Sequence, residues 1–290
     1  MLTQHEQKKV PILMYHSISD HAGPKFKPFT VAPTLFSTHM EYLHQHGYTP
    51  ITVTQFIQAR DQGLYMLPRR PIVLTFDDGF ADFYTSVLPI LKEHHFTATL
   101  YITTGYINDT SRWLKRERET TRCMLTWEQL AEIRDNGIEC GAHSHTHPQL
   151  DTLPLITARY EIMGSKMMLE QHLKQRITTF AYPYGYYTAT LQKLVREAGY
   201  TSACAVKHAM SSEITDPLAL ARITISANTD IGALASLITG RKLSGISAMY
   251  MQARTPVWQV VRRMSSPVAQ NMREGIRLSK ETQRLKSTIK

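Results

Sequence analysis

Short apolar runs alternate along the chain with segments whose apolar residues recur every three or four positions. The runs at residues 11–16, 72–78, 97–103, 138–143, 179–183, 201–206 and 222–226 have the length and β-rich composition of buried strands. Between them, Phe36, Met40 and Leu43 share one helical face. The same spacing recurs in Val87, Leu88 and Leu91, in Leu130 and Ile133, in Ile162, Met167 and Leu169, and in Leu191, Leu194 and Val195. Gly47, Gly137 and Gly199 stand just past three of these patterns, where helices commonly end. Alternation repeated this often predicts an α/β fold with a parallel sheet, and so many units within 290 residues favour a barrel over an open sheet. In such folds the chemistry collects at the carboxyl ends of the strands.

Two segments break the pattern. Residues 108–123, NDTSRWLKRERETTRC, are polar and charged and are expected to form an inserted loop over the strand ends. Beyond about Gly240 the alternation fades, giving a barrel domain over residues 1–240 and a basic tail over 241–290. In that tail Trp258, Val261 and Met264 keep helical spacing before a polar stretch, so it is expected to be partly helical or disordered.

Composition narrows the function class. Hydrophobic residues make up 42% and charged residues 20%, enough for a large core and too little charge for a disordered chain. The net charge of +9 is uneven: residues 251–290 hold nine basic side chains against Glu274 and Glu281. The basic balance thus belongs to the tail, which carries no nucleic-acid motif, and a nucleic-acid partner is not expected. The amino terminus lacks the apolar core of a secretory signal, so the sequence is expected to be cytoplasmic, with the tail able to contact the inner membrane face peripherally. Cys123, Cys140 and Cys204 form no C-x-x-C pair and are expected to be buried thiols.

Three strand ends carry the candidate chemistry. The first is Thr75-Phe76-Asp77-Asp78-Gly79, two carboxylates before a glycine, which alone is also what an Asp-Gly turn looks like. The second, Gly141-Ala142-His143-Ser144-His145-Thr146-His147, places His143 and His147 four residues apart, able to face one point as a metal requires, with Asp supplying a third donor. His145 between them is expected to point elsewhere. The third is Tyr182-Pro183-Tyr184-Gly185, an aromatic turn.

In this order and spacing the three resemble the motifs of the polysaccharide deacetylase family, the carbohydrate esterase group with the chitooligosaccharide-deacetylase homology domain. The resemblance covers most of residues 10–240. It implies a distorted (β/α)7 barrel in which Asp78, His143 and His147 hold one divalent metal, most simply Zn²⁺, with Co²⁺, Ni²⁺ or Fe²⁺ also fitting. It further implies Asp77 as general base, the Tyr184 backbone N–H as oxyanion donor, and an N-acetylated glycan or glycoconjugate as substrate.

The chain departs from that pattern twice. Ala181 stands where the family usually has an arginine that orients the base. The L-x-H of the general acid is missing near the carboxyl end of the domain, where Leu218-Ala219-Leu220-Ala221-Arg222 stands. Tyr15-His16 at the end of the first strand is similar to the acid-bearing segment of the permuted branch typified by biofilm poly-N-acetylglucosamine deacetylases, which implies His16 as the acid. The departures also leave open a catalytically inactive carbohydrate-binding or scaffold protein, and a deacylase of small N-acyl substrates remains a third reading. Tyr15, Phe80, Tyr184, Tyr186, Tyr187 and Trp127 are candidates for stacking on sugars, with Asp82 and Trp113 as weaker site candidates.

Overall fold

The computed structural model describes residues 9–62 and 66–241. Seven strands follow the predicted runs, each shorter than its apolar run: β1 (Ile12–Tyr15), β5 (Pro71–Phe76), β6 (Thr99–Ile102), β7 (Glu139–Ala142), β8 (Thr179–Ala181), β9 (Ser202–Cys204) and β10 (Ile223–Thr224). Three further strands, β2 (Ser17–Ile18), β3 (Thr30–Val31) and β4 (Thr49–Ile51), were not expected. They are two or three residues long, too short to leave a periodic trace. The sheet runs β10-β1-β5-β6-β7-β8-β9, parallel throughout, with β4 added alongside β5.

The curl of this sheet gives the distorted (β/α)7 barrel. Leu220 bridges to Cys204 at the end of β9, and three residues later Ile223 pairs with Leu13 of β1. One short stretch of chain therefore links the two ends of the sheet, and Arg222 lies within it.

Helices α1 (Pro33–Gln45), α3 (Leu88–Glu93), α4 (Trp127–Asp135), α5 (Leu155–Leu173) and α6 (Ala189–Glu197) match the predicted patterns; α2 (Val53–Gln62) and α7 (Ile231–Ile238) add to them. Both bury apolar residues at helical spacing, Val53, Phe56 and Ile57 in α2 and Leu234 and Ile238 in α7, within a mostly polar sequence in the first and a mostly apolar one in the second. Gly47, Gly137 and Gly199 take positive φ after α1, α4 and α6 as expected.

Two-residue alternation sorts the strand side chains into two layers. On β5, Ile72, Leu74 and Phe76 pack outward with Phe36, Met40, Leu91 and Leu130 of the helices. Val73 points inward to a smaller cluster with Ile12, Tyr101, Ala181, Cys204 and Leu220. Met167 is a correction: it is 64% exposed, because α5 buries the face through Ala158, Glu161, Ile162, Ser165 and Leu169 instead. Cys140 and Cys204 are buried, but Cys123 is exposed, since it sits in the polar insert rather than on a core strand. The basic tail lies almost wholly outside the described residues. No helix among those residues is long and apolar enough to cross a membrane.

Candidate metal centre and its carboxylate pair

The inward alternation of β5 continues beyond its last residue, so Val73, Thr75 and Asp77 point into the barrel. The Asp77 N–H donates to Tyr15 O at 3.0 Å, extending the register with β1. Strict alternation would send Asp78 outward. Instead its backbone turns to φ 79°, and both carboxylates come to face His143. Four of the nine described non-glycine residues with positive φ surround this point: Asp78, Ser144, His147 and Tyr184. Each such conformation costs ~1–3 kcal/mol, so the surrounding bonds must over-determine it.

Asp78, His143 and His147, all buried, bring one donor atom each within 4.8 Å of one another. Asp78 Oδ1 lies 3.2 Å from His147 Nε2 and 3.6 Å from His143 Nε2. The His143 Nδ1 is 2.8 Å from Ala181 O. A carbonyl only accepts, so Nδ1 carries the proton and Nε2 offers its lone pair toward Asp78. Burial pulls the His143 imidazole down to about 4, leaving it neutral at pH 7. Burial also opposes ionisation of Asp78, but the facing His147 outweighs it and keeps the carboxyl well below its usual range.

These residues suit a divalent cation. Asp78 Oδ1 is buried with no hydrogen-bond partner, facing two imidazole nitrogens. A carboxylate oxygen and two imidazole nitrogens converging on one point form the His₂Asp donor set of Zn²⁺ and similar ions, with positions left for water and substrate.

Arg222 supplies what Ala181 cannot. Its Nη1 and Nη2 donate to Asp77 Oδ1 and Oδ2 at 2.6 and 2.7 Å, a two-pronged pairing that fixes the carboxylate plane. The same guanidinium donates to Thr75 Oγ1 at 3.2 Å and, through Nε, to Ala205 O at 3.2 Å. Its side chain is fully buried and Asp77 is 3% exposed. Burial would raise the Asp77 carboxyl, yet Arg222, with His143 and His16 adding to it, lowers it below the ordinary range. Ala181, for its part, fills the barrel interior with its methyl group and orients His143 with its carbonyl.

The third turn and the first strand complete the site. Tyr184 has φ 59° and ψ 3°, and its ring packs edge-on to His147 at 4.8 Å. Gly185 behind it is sterically required: φ is +74°, and a Cβ there would come within 2.6 Å of the Val206 side chain. Trp113 reaches over from the insert, 5.4 Å from the His147 ring, so residues 108–123 do form a loop beside the strand ends. His16 follows β1 close enough to influence the charge of both Asp77 and Asp78. Its Nδ1 is buried without a hydrogen-bond partner, and its ring stands 5.4 Å from Phe29.

Several expectations are corrected. Tyr15 and Phe80 are buried at 0% and 2% exposure, packed in the core and in the cluster under the insert, and so present no face to a sugar. Trp127 stacks on His172, pairing α4 with α5 away from the metal ligands. Tyr184, 47% exposed, and the parallel Tyr186 ring 6.2 Å away remain at the surface. Asp82 accepts from Ser17 Oγ, Ile18 N and Arg122, a set of bonds that ties β2 to the insert. His145, as expected, turns away from the ligands: its Nδ1 lies 2.9 Å from Thr104 Oγ1.

Two residues of the site were missed in the sequence, Arg222 and Glu161. Each is a charge inside an apolar pattern, Arg222 within LALARITI and Glu161 on the buried face of α5. A charge at a core-facing position needs a partner, and that was the available signal.

Comparison with known proteins agrees with this geometry. Residues 66–203 match the polysaccharide deacetylase family. The Bacillus subtilis (strain 168) protein YxkH, named for the same family, is 28% identical over 238 residues, covering 81% of this chain and 77% of its own. A poly-β-1,6-N-acetyl-D-glucosamine N-deacetylase of Staphylococcus aureus (strain MSSA476) is 22% identical over 234 residues, 78% of each chain. Among solved structures, the Streptococcus pyogenes deacetylase PplD in complex with acetate superimposes with a TM-score of 0.70 at 27% identity, covering 80% of this chain and 99% of that one.

Proposed function

The chain carries a polysaccharide deacetylase domain, and from that premise we propose that it removes N-acetyl groups from a β-1,6-linked N-acetylglucosamine polymer, with Asp77, His16 and the Tyr184 N–H as its catalytic groups. The observation that carries this reading is an Asp78–His143–His147 donor set beside a carboxylate already locked by Arg222. Similarity to the Staphylococcus aureus N-deacetylase over 78% of each chain supports the choice of substrate.

Amide hydrolysis at neutral pH needs an activated water, a place for negative charge and a proton for the leaving amine. Asp78, His143 and His147 would hold a divalent cation such as Zn²⁺, which would supply Lewis acidity and make water acidic enough to lose a proton near neutral pH. Asp77, ionised and fixed in plane, accepts the proton of the attacking water. The Tyr184 N–H donates to the acetyl oxygen as it becomes tetrahedral, an interaction whose loss typically costs ~3 kcal/mol. His16 gives its proton to the departing nitrogen, worth roughly 10²–10⁴ in rate. The products are acetate and a free amine on the sugar.

The scaffold alternative rested on Ala181 and the missing L-x-H. Arg222 supplies the missing orientation of Asp77, and His16 is near enough to act on the charge of both carboxylates, so neither departure argues for inactivity. The test is acetate release from β-1,6-linked N-acetylglucosamine oligomers by zinc-loaded protein, with Asp77→Asn and His16→Ala assayed at equal metal content. Both variants are expected to keep the metal, with Asp77→Asn inactive and His16→Ala slowed by ~10²–10⁴. Fully loaded wild type that releases no acetate would refute the reading, and an active Asp77→Asn would refute the role of the base.

A further inference from the structure

The loop that bears the two histidines is bound from beneath by a carboxylate that contacts neither of them. Glu161 lies on the buried face of α5 and is 5% exposed. Its Oε2 accepts from the backbone N–H of His145 at 2.8 Å and of Thr146 at 2.7 Å, and its Oε1 accepts from Thr146 Oγ1 at 2.6 Å. All three donors belong to the two residues between Ser144 and His147, and both of those flanking residues have positive φ, 64° and 59°. Without a glycine at either position the loop does not adopt this shape by local preference, so it must be held there.

Other bonds fix the loop from the opposite side. Gly105 N donates to His145 O at 2.7 Å, Thr104 N to Ser144 O at 3.3 Å, and His147 N to Ser144 Oγ at 3.0 Å. Those bonds satisfy the carbonyls and the His147 N–H. The N–H groups of His145 and Thr146 converge on Glu161 alone, and a carboxylate receiving two N–H groups and a hydroxyl is a strong, directional anchor.

We propose that Glu161 is a positioning residue for the metal centre: by clamping the 145–146 backbone it holds the left-handed turn that points His147 at Asp78. This rests on the metal-dependent reading above and adds to it a residue outside the donor set. His143 is set by β7 and by its own bond to Ala181 O, whereas the Nδ1 of His147 is buried without a hydrogen-bond partner. Beyond the Tyr184 and Trp113 rings packed on it, its direction comes from the backbone that carries it, and Glu161 fixes that backbone.

The test measures zinc affinity by competition with a chromophoric chelator in wild type, Glu161→Gln, Thr146→Val and Asp78→Ala, with the Co²⁺ absorption spectrum recorded for each. Glu161→Gln preserves shape but replaces one accepting oxygen by a donor. We expect zinc affinity to fall roughly 10- to 100-fold, the range typical of partners that orient metal ligands, with an altered Co²⁺ spectrum. Thr146→Val, which removes only the hydroxyl bond and leaves the carboxylate in place, is expected to show a smaller loss in the same direction. A merely structural role would lower the melting temperature and leave affinity and spectrum of the folded protein unchanged, and that result in both variants would overturn the inference. Wild type that binds zinc no better than Asp78→Ala would overturn the metal-dependent reading and this inference with it.

Discussion

Replacing Arg222 by methionine is the most direct probe of the site. The change leaves the Asp77 carboxylate 3% exposed and stripped of the two bonds at 2.6 and 2.7 Å that neutralise it. At an effective dielectric of ~20, unit charges ~4 Å apart attract by ~4 kcal/mol. Removing one partner of a buried pair typically costs ~3–5 kcal/mol, because the other charge stays behind in the interior. For a domain of this size that corresponds to a fall in melting temperature of roughly 6–20 °C. Asp77→Asn alone is destabilising for the mirror-image reason, since it strands a buried guanidinium. The double variant removes both charges, and its loss is expected to be smaller than the sum of the two single losses by at least ~2 kcal/mol. Denaturant unfolding of the four proteins gives this coupling directly. Additivity within ~0.5 kcal/mol would show two independent groups and refute the claim that Arg222 holds Asp77. The pH profile supplies a second readout. With Arg222 present the Asp77 carboxyl is pulled down against burial; with it gone burial dominates, so the acid limb of kcat/KM should move to higher pH in Arg222→Met.

Two further outcomes follow from the geometry. In metal-free protein the folded state holds His143 at about 4 while the unfolded chain protonates it near 6.5, so the unfolded state binds more protons between these values. Stability should therefore fall as pH drops from about 6.5 toward 4, and His143→Gln should flatten that part of a melting-temperature series; an unchanged slope would contradict the buried neutral imidazole. Gly185→Ala introduces a Cβ 2.6 Å from the Val206 side chain and 2.7 Å from its backbone nitrogen, at φ +74°. It should cost at least ~1 kcal/mol in thermal unfolding and displace the Tyr184 N–H, and a melting temperature equal to wild type would show that the turn is not so confined.

The sequence by itself determined the elements and the motifs. Each barrel strand carries its own apolar run, and each matched helix its own three-to-four spacing, so these could be found without knowing their neighbours. Asp77, Asp78, His143 and His147 were legible because each pair sits within five residues of chain at a strand end. The tertiary structure decided everything that depends on distant partners. Alternation along β5 gives no hint that Asp78 turns back toward His143, because that depends on one left-handed residue. Trp127 and Phe80 differ from Tyr184 only in what packs over them. Arg222 and Asp77 are 145 residues apart, and nothing local to either says that the return of the chain between β9 and β1 brings a guanidinium onto that carboxylate. Glu161 likewise meets its loop because α5 packs back under β7. Hydrophobic periodicity reports only whether a side chain faces the interior. Which buried charge meets which is settled by the closure of the barrel, since burial in low dielectric leaves an ionised group no stable alternative to its partner.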